Sequence, residues 1–265
     1  MPKNVIMRTS DGKILHLECY EQIQSVHELA RKYAKLGFVD GYVIFSEKQT
    51  AYDSHGRALP EGESESGVYL SCILRPSLFT SQAGFLGHLS AVALFNALEE
   101  QTDKELGLGW VSDIFCDGRK IGMTAMEGKL DSFGAYEYII VSFFVKLTED
   151  DFPPRLSDLI KKVFESENTS LSLIIAKKIL SKFFELYPKR IKTPEKFMEI
   201  YRRNFILSGL NTKYIDGAKK KRCKIIGISS ADGKLMVENS KGDIVNISGA
   251  KSIIIPDKIK VKNKS

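Results

Sequence analysis

Between residues 109 and 122 the chain reads Gly-Trp-Val-Ser-Asp-Ile-Phe-Cys-Asp-Gly-Arg-Lys-Ile-Gly. Within this stretch lie two carboxylates, Asp113 and Asp117, two cations, Arg119 and Lys120, and Trp110, the only tryptophan of the chain. Adjacent cations on a rigid support can neutralise an anionic ligand and the charge that develops when two anions react. A neighbouring carboxylate can orient such a cation or a metal ion. Asp117-Gly118 predicts a tight hairpin turn, because both residues tolerate positive φ. By itself the stretch also suits a solvated turn, since turns are commonly polar. Its chemistry therefore depends on the elements that would hold it.

Apolar periodicity supplies those elements. Val5 to Met7 and Ile14 to Leu17 flank Ser-Asp-Gly-Lys and predict an opening β-hairpin. Leu29, Ala30, Tyr33 and Ala34 recur at helical spacing within 26–35, with Gly37 placed for a left-handed C-cap. Strands are expected at Tyr42–Phe45, Val68–Leu74 and Tyr136–Leu147, and a core helix over 84–100 that carries His88 as a packed residue. Between 46 and 66 no apolar period survives, and a loop that long inside a compact domain suits a functional lid. Helices are expected at Leu156–Phe164, from a Thr169 cap to Tyr187, and from Thr193-Pro194 to about Phe205. The sum is an α+β fold, a mixed β-sheet packed with helices, over residues 1–212.

Beyond Lys213 the pattern changes to short strands and tight turns. Cys223–Ile228, Leu235–Asn239, Ile244–Ile247 and Ile253–Ile255 predict a small SH3-like β-barrel over 213–265, with 213–222 read as a polar, basic boundary. The formal net charge is +6, and its excess gathers in Lys219-Lys220-Lys221-Arg222-Lys224 and in the tail after Pro256. The four cysteines show no paired spacing, so neither a disulfide framework nor a zinc site is indicated. No segment has the length and apolarity of a membrane span and the first residues lack a signal-peptide core, so a cytoplasmic protein is expected.

The order of these pieces resembles the biotin protein ligase family over about residues 20 to 255. Gly67-Val-Tyr-Leu-Ser-Cys-Ile-Leu-Arg-Pro76 is similar to the family's Gly-x-Leu-Tyr-Leu-Ser-x-x-Leu-Arg-Pro segment, and Gln49-Thr50 matches the Gln-Thr before its adenylate loop. Gly109-Trp110-Val111-Ser112-Asp113-Ile114 is similar to Lys-Trp-Pro-Asn-Asp-Ile, and Arg119-Lys120-Ile121-Gly122 to Lys-Lys-Ile-x-Gly. The resemblance implies a class II synthetase-like catalytic domain and a C-terminal SH3-like domain. It implies biotin and Mg2+–ATP as reactants and a biotin carboxyl carrier domain as acceptor. Lys120 would be the catalytic contact to the activated carboxylate. Gln49, Arg57, Gly67, Tyr69, Ser71, Trp110, Asp113, Arg119 and Gly122 would bind the ligands. Such a protein can be a homodimer, and the DNA-binding domain of bifunctional members is not expected ahead of this core.

Three departures accompany the resemblance. The family lid's Gly-Arg-Gly-Arg is Tyr52-Asp53-Ser54-His55, with Gly56-Arg57 following. Gly109, Val111 and Ser112 replace lysine, proline and asparagine. The family's Gly-Ile-Gly-Ile-Asn strand is Ser142-Phe143-Phe144-Val145-Lys146, where phenylalanines could fill the ligand pocket. Gln24-Ser25-Val26 also stands for the usual Ser-Thr-Asn. Three functions are therefore compatible: a monofunctional biotin protein ligase, a ligase-like binding or assembly module without adenylation, and a ligase for another acid such as lipoate.

Overall fold

A computed structural model describes residues 2–51, 66–78, 80–147, 170–187, 189, 191–249 and 252–259. Residues 52–65 of the expected lid, with Arg57, and the expected helix at Leu156–Phe164 lie outside these residues, whereas 46–49, expected to open the loop, continue the strand from Tyr42.

The first unit is built on an eight-stranded mixed sheet. Its strands are β1 (Lys3–Arg8), β2 (Ile14–Ile23), β3 (Tyr42–Gln49), β4 (Gly67–Leu74), β5 (Leu106–Leu108), β6 (Asp113–Cys116), β7 (Arg119–Leu130) and β8 (Tyr136–Lys146). Their order is β1-β2-β3-β4-β8-β7-β6-β5. Only the β2–β3 pair is parallel, and helix α1 (Val26–Lys35) makes that crossover. The Ser25 side chain caps α1 by accepting from the Glu28 amide, and Gly37 beyond its end has φ +86, the left-handed conformation expected of it.

Helices cover both faces. On one side α1 packs Val26, Ala30 and Ala34 against Ile44, Tyr69, Ile73, Met123, Ile140 and Phe144. On the other lie α2 (Thr80–Ala83), α3 (Leu86–Glu99), α4 (Leu171–Leu186) and α5 (Glu195–Arg203), which close the larger core. Helix α4 is capped by Ser170, one residue past the expected Thr169, and α5 begins at Glu195 with Pro194 as its cap residue.

The second unit is a five-stranded antiparallel sheet of β9 (Asn211–Asp216), β10 (Lys219–Ile228), β11 (Leu235–Asn239), β12 (Ile244–Ile247) and β13 (Ile253–Ile254), in the order β12-β11-β10-β9-β13. The paired strands form an open sheet rather than a closed barrel among the described residues. The stretch 213–222, expected to be a polar boundary, is a hairpin: β9 and β10 pair from Asn211↔Lys224 to Asp216↔Lys219. Gly217-Ala218 make its two-residue turn, with Gly217 at φ +57. Residue 213 thus lies within a strand.

Candidate active site

Strand register brings the predicted residues to one face. Asp113 pairs with Met123, Met123 with Phe144, and Phe144 with Tyr69, a row across four strands. Directly opposed residues share a sheet face, and Met123, Phe144 and Tyr69 all pack in the core under α1. The next row on that face runs Ser71↔Ser142↔Ala125.

Lys120 joins this face through its charge. Its Nζ lies 3.0 Å from Asp113 Oδ1, with both side chains largely buried. The hairpin between them turns through Asp117 and Gly118 at φ 47 and φ 77, the two positive angles that a two-residue turn requires. Lys120 and Phe115 pair directly while Ile114 pairs with Gly122, so Ile121 is an extra residue, a bulge beside the lysine. The backbone around Lys120 is held from the second unit. Its amide donates to the Asp257 carbonyl at 2.8 Å, and the Ile259 amide donates to Gly118 at 2.8 Å. Arg119, on an exposed position, forms the bridge to Lys258 between these two bonds.

The two glycines of the predicted site are required by backbone approach. A Cβ on Gly67 would lie 2.4 Å from the Val145 carbonyl, and one on Gly122 2.6 Å from the Phe144 carbonyl. Gly109 is held differently: a Cβ there would meet the Phe115 ring at 2.6 Å. Glycine at this place, where a lysine was expected, is thus matched by an aromatic ring that fills the space.

Gln49 is buried at the end of β3. Its Oε1 accepts from the Val26 amide at 3.0 Å and its Nε2 donates to the Ala51 carbonyl at 2.9 Å, so it ties the start of α1 to the strand end. Trp110 turns to the helix side of the sheet, where its ring packs edge-on to His88 at 5.5 Å. Burial pushes the His88 imidazole down to about 4, because an apolar setting penalises its cation. His88 in turn lies 4.7 Å from the Tyr201 ring of α5.

Several functional candidates were not legible in the sequence. Tyr201 donates its hydroxyl to the carbonyls of Gly109 at 2.6 Å and Val111 at 3.1 Å, fixing the loop that carries Trp110. His27 bonds Ser142 through Nδ1 at 2.7 Å, and Ser142 bonds Ser71 at 2.7 Å, all three buried. On its other side His27 Nε2 meets Glu127 Oε2 at 3.1 Å. Arg31 on α1 donates to Glu127, and this guanidinium chiefly holds the Glu127 carboxyl down at about 2. The only sequence signal for this chain of polar groups is a histidine two residues after the Ser25 cap.

The phenylalanine pair divides by alternation. Phe143 faces the helix-side core and packs against Phe183 of α4 at 5.6 Å. Phe144 faces α1, with Tyr69 edge-on at 6.3 Å.

No protein-family model matches the chain. It is 27% identical over 168 residues to the bifunctional ligase/repressor BirA of Bacillus subtilis, covering 62% of this chain and 48% of that protein. It is 28% identical over 158 residues to BirA of Bacillus spizizenii. The chain spans about half the length of the curated relatives it matches. In fold it is similar to the biotin protein ligase from Aquifex aeolicus in complex with biotin and ATP, with a TM-score of 0.65 and 19% identity over 89% of this chain and 96% of that one. In sequence and in fold the chain is thus similar to biotin protein ligases.

Two further solved structures share the fold. The Leishmania major biotin protein ligase in complex with biotinyl-5-AMP matches with a TM-score of 0.54 and 18% identity over 88% of this chain and 98% of that one. A biotin protein ligase-like protein of unknown function from a Silicibacter species matches with a TM-score of 0.61 and 14% identity over 92% of this chain and 97% of that one. No helix among the described residues is long and apolar enough to cross a membrane.

Proposed function

We propose that the protein is a biotin protein ligase. The observation that carries this reading is the Asp113–Lys120 ion pair, which draws the lysine ammonium towards the sheet face that Tyr69 and Ser71 share. In the first half-reaction the biotin carboxylate attacks the α-phosphorus of ATP. A C–O–P mixed anhydride forms, and pyrophosphate leaves with the electron pair of the broken P–O bond. Lys120 would leave Asp113 for the reacting anions and offset the charge that gathers between them. In the second half-reaction an acceptor lysine amine attacks the carbonyl, AMP leaves, and the amine loses a proton to form the amide. The acceptor in this reading is a biotin carboxyl carrier domain.

Magnesium would arrive with ATP. The second unit steadies the Lys120 hairpin through Asp257 and Ile259.

A second reading is favoured by Phe144. Its buried ring, between Met123 and Tyr69 in the site row, stands where the family has a glycine. With Ser142, Ser71 and His27 bonded to one another beside it, the face is packed with protein groups. This favours a ligase-like binding module that no longer adenylates biotin.

Transfer of labelled biotin to a carrier domain separates the two. A ligase gives ATP-dependent labelling that Lys120→Ala lowers by about 10²-fold or more. No labelling, together with no heat on titrating biotin and ATP, would sink the ligase reading and leave the binding module.

A further inference from the structure

The net positive charge of the chain comes from its last fifty-five residues. Between residues 211 and 265 thirteen Lys and Arg stand against five Asp and Glu, more than the whole excess of +6. The remainder of the chain is slightly acidic.

On the outer face of that sheet Arg222, Lys213 and Ile254 form a row across β10, β9 and β13. Buried Tyr214 and Cys223 alternate with them on the inner face. Two cations directly opposed on an antiparallel pair repel one another. Neither is in an ion pair among the described residues, whereas nearby Lys221 is held by Asp216. In the adjacent row Lys224 faces Glu238. These side chains, with Ile254 and Pro256, line a groove of about 690 Å³.

We propose that this groove binds an extended, acidic protein segment. The uncompensated Lys213–Arg222 pair calls for carboxylates, and Ile254 and Pro256 offer apolar surface to the side chains between them. Nucleic acid fits less well. No aromatic side chain lines the groove to stack a base. A segment held here would lie beside Pro256, one residue from the strand that pairs with the Lys120 hairpin. The binding does not depend on ligase activity.

Fluorescence anisotropy on the full chain tests this, with a labelled peptide of alternating Glu and Val as probe. The wild-type protein is expected to bind it with an affinity that falls as salt rises. Lys213→Glu is expected to weaken binding at least tenfold, and so is Ile254→Asp. Lys213→Glu should also raise Tm, because Glu would face Arg222 and relieve the repulsion. Lys219→Glu, on the same strand pair but outside the groove, should change binding less than twofold. The proposal is overturned if wild-type protein does not bind the peptide, or if Lys219→Glu weakens it as much as Lys213→Glu. Single-stranded RNA displacing the peptide at a lower concentration than unlabelled peptide does would also overturn it, by making the groove a phosphate site.

Discussion

The hydroxyl of Tyr201 lies 2.6 Å from the carbonyl of Gly109 and binds helix α5 to the loop in front of strand β6, across 92 residues of sequence. That loop carries Trp110 and runs directly into Asp113, the partner of Lys120. Tyr201→Phe removes the donor and leaves two carbonyls short of a bond. A loss of about 1–3 kcal/mol follows from buried unpaired groups of this kind. Thermal unfolding should show the drop, and a peptide-exchange increase confined to 109–113 should accompany it.

The Asp113–Lys120 pair is mostly buried, so each partner's removal strands the other. Lys120→Ala should cost about 3–5 kcal/mol by leaving Asp113 as an uncompensated buried charge. The double variant Lys120→Met with Asp113→Asn should recover most of that stability. Biotin transfer should remain absent in both. Denaturant titration beside the transfer assay separates the two effects; transfer restored by the double variant would exclude Lys120 from the reaction.

His88 predicts a pH dependence. Its folded pKa of about 4 is below the ordinary value of 6.5, because burial opposes the charged ring. The unfolded chain therefore binds the proton first as pH falls, so this stabilisation is complete above 6.5 and is lost progressively down to 4. The linkage amounts to about 2 kcal/mol by pH 5. His88→Phe should flatten the stability slope over that window, read from urea midpoints at pH 7 and pH 5.

Phe144 decides between the two functional readings. Phe144→Gly opens the α1 face at the row shared by Met123 and Tyr69, at about 3–5 kcal/mol of stability as for other buried aromatic truncations. If the face is a blocked biotin site, calorimetry should show biotin binding in the variant and none in the wild type. Equal binding by both proteins would place the ligand elsewhere.

Gly109→Lys restores the residue expected from the family and should nonetheless destabilise. Its Cβ would stand 2.6 Å from the Phe115 ring, a contact that requires the ring to move. Overpacking of this order costs about 1–3 kcal/mol. A paired Gly109→Lys, Phe115→Val variant should recover part of the loss in a thermal melt.

Local chemistry in the sequence was enough for the order of elements. Gly37 ends α1 as expected, and Asp117-Gly118 makes the turn that sets Lys120 two residues past Gly118, because caps and tight turns depend on neighbours in the chain. The hairpin that turns at Gly217-Ala218 is the exception: it was read as a polar boundary, since its charged strands have little apolar alternation. Motif order named Gln49, Tyr69, Ser71, Asp113 and Lys120 without saying which of them meet. Tertiary structure decided that. Alternation set Phe143 and Phe144 on opposite faces, but only the register with Tyr69 and Met123 showed which of the two occupies the site face. The bulge at Ile121 broke the two-residue period next to Lys120, so no count along the strand could have aimed its side chain. His27 and Ser142, 115 residues apart, are brought together by the crossover of α1 over β8, a contact that depends on long-range packing.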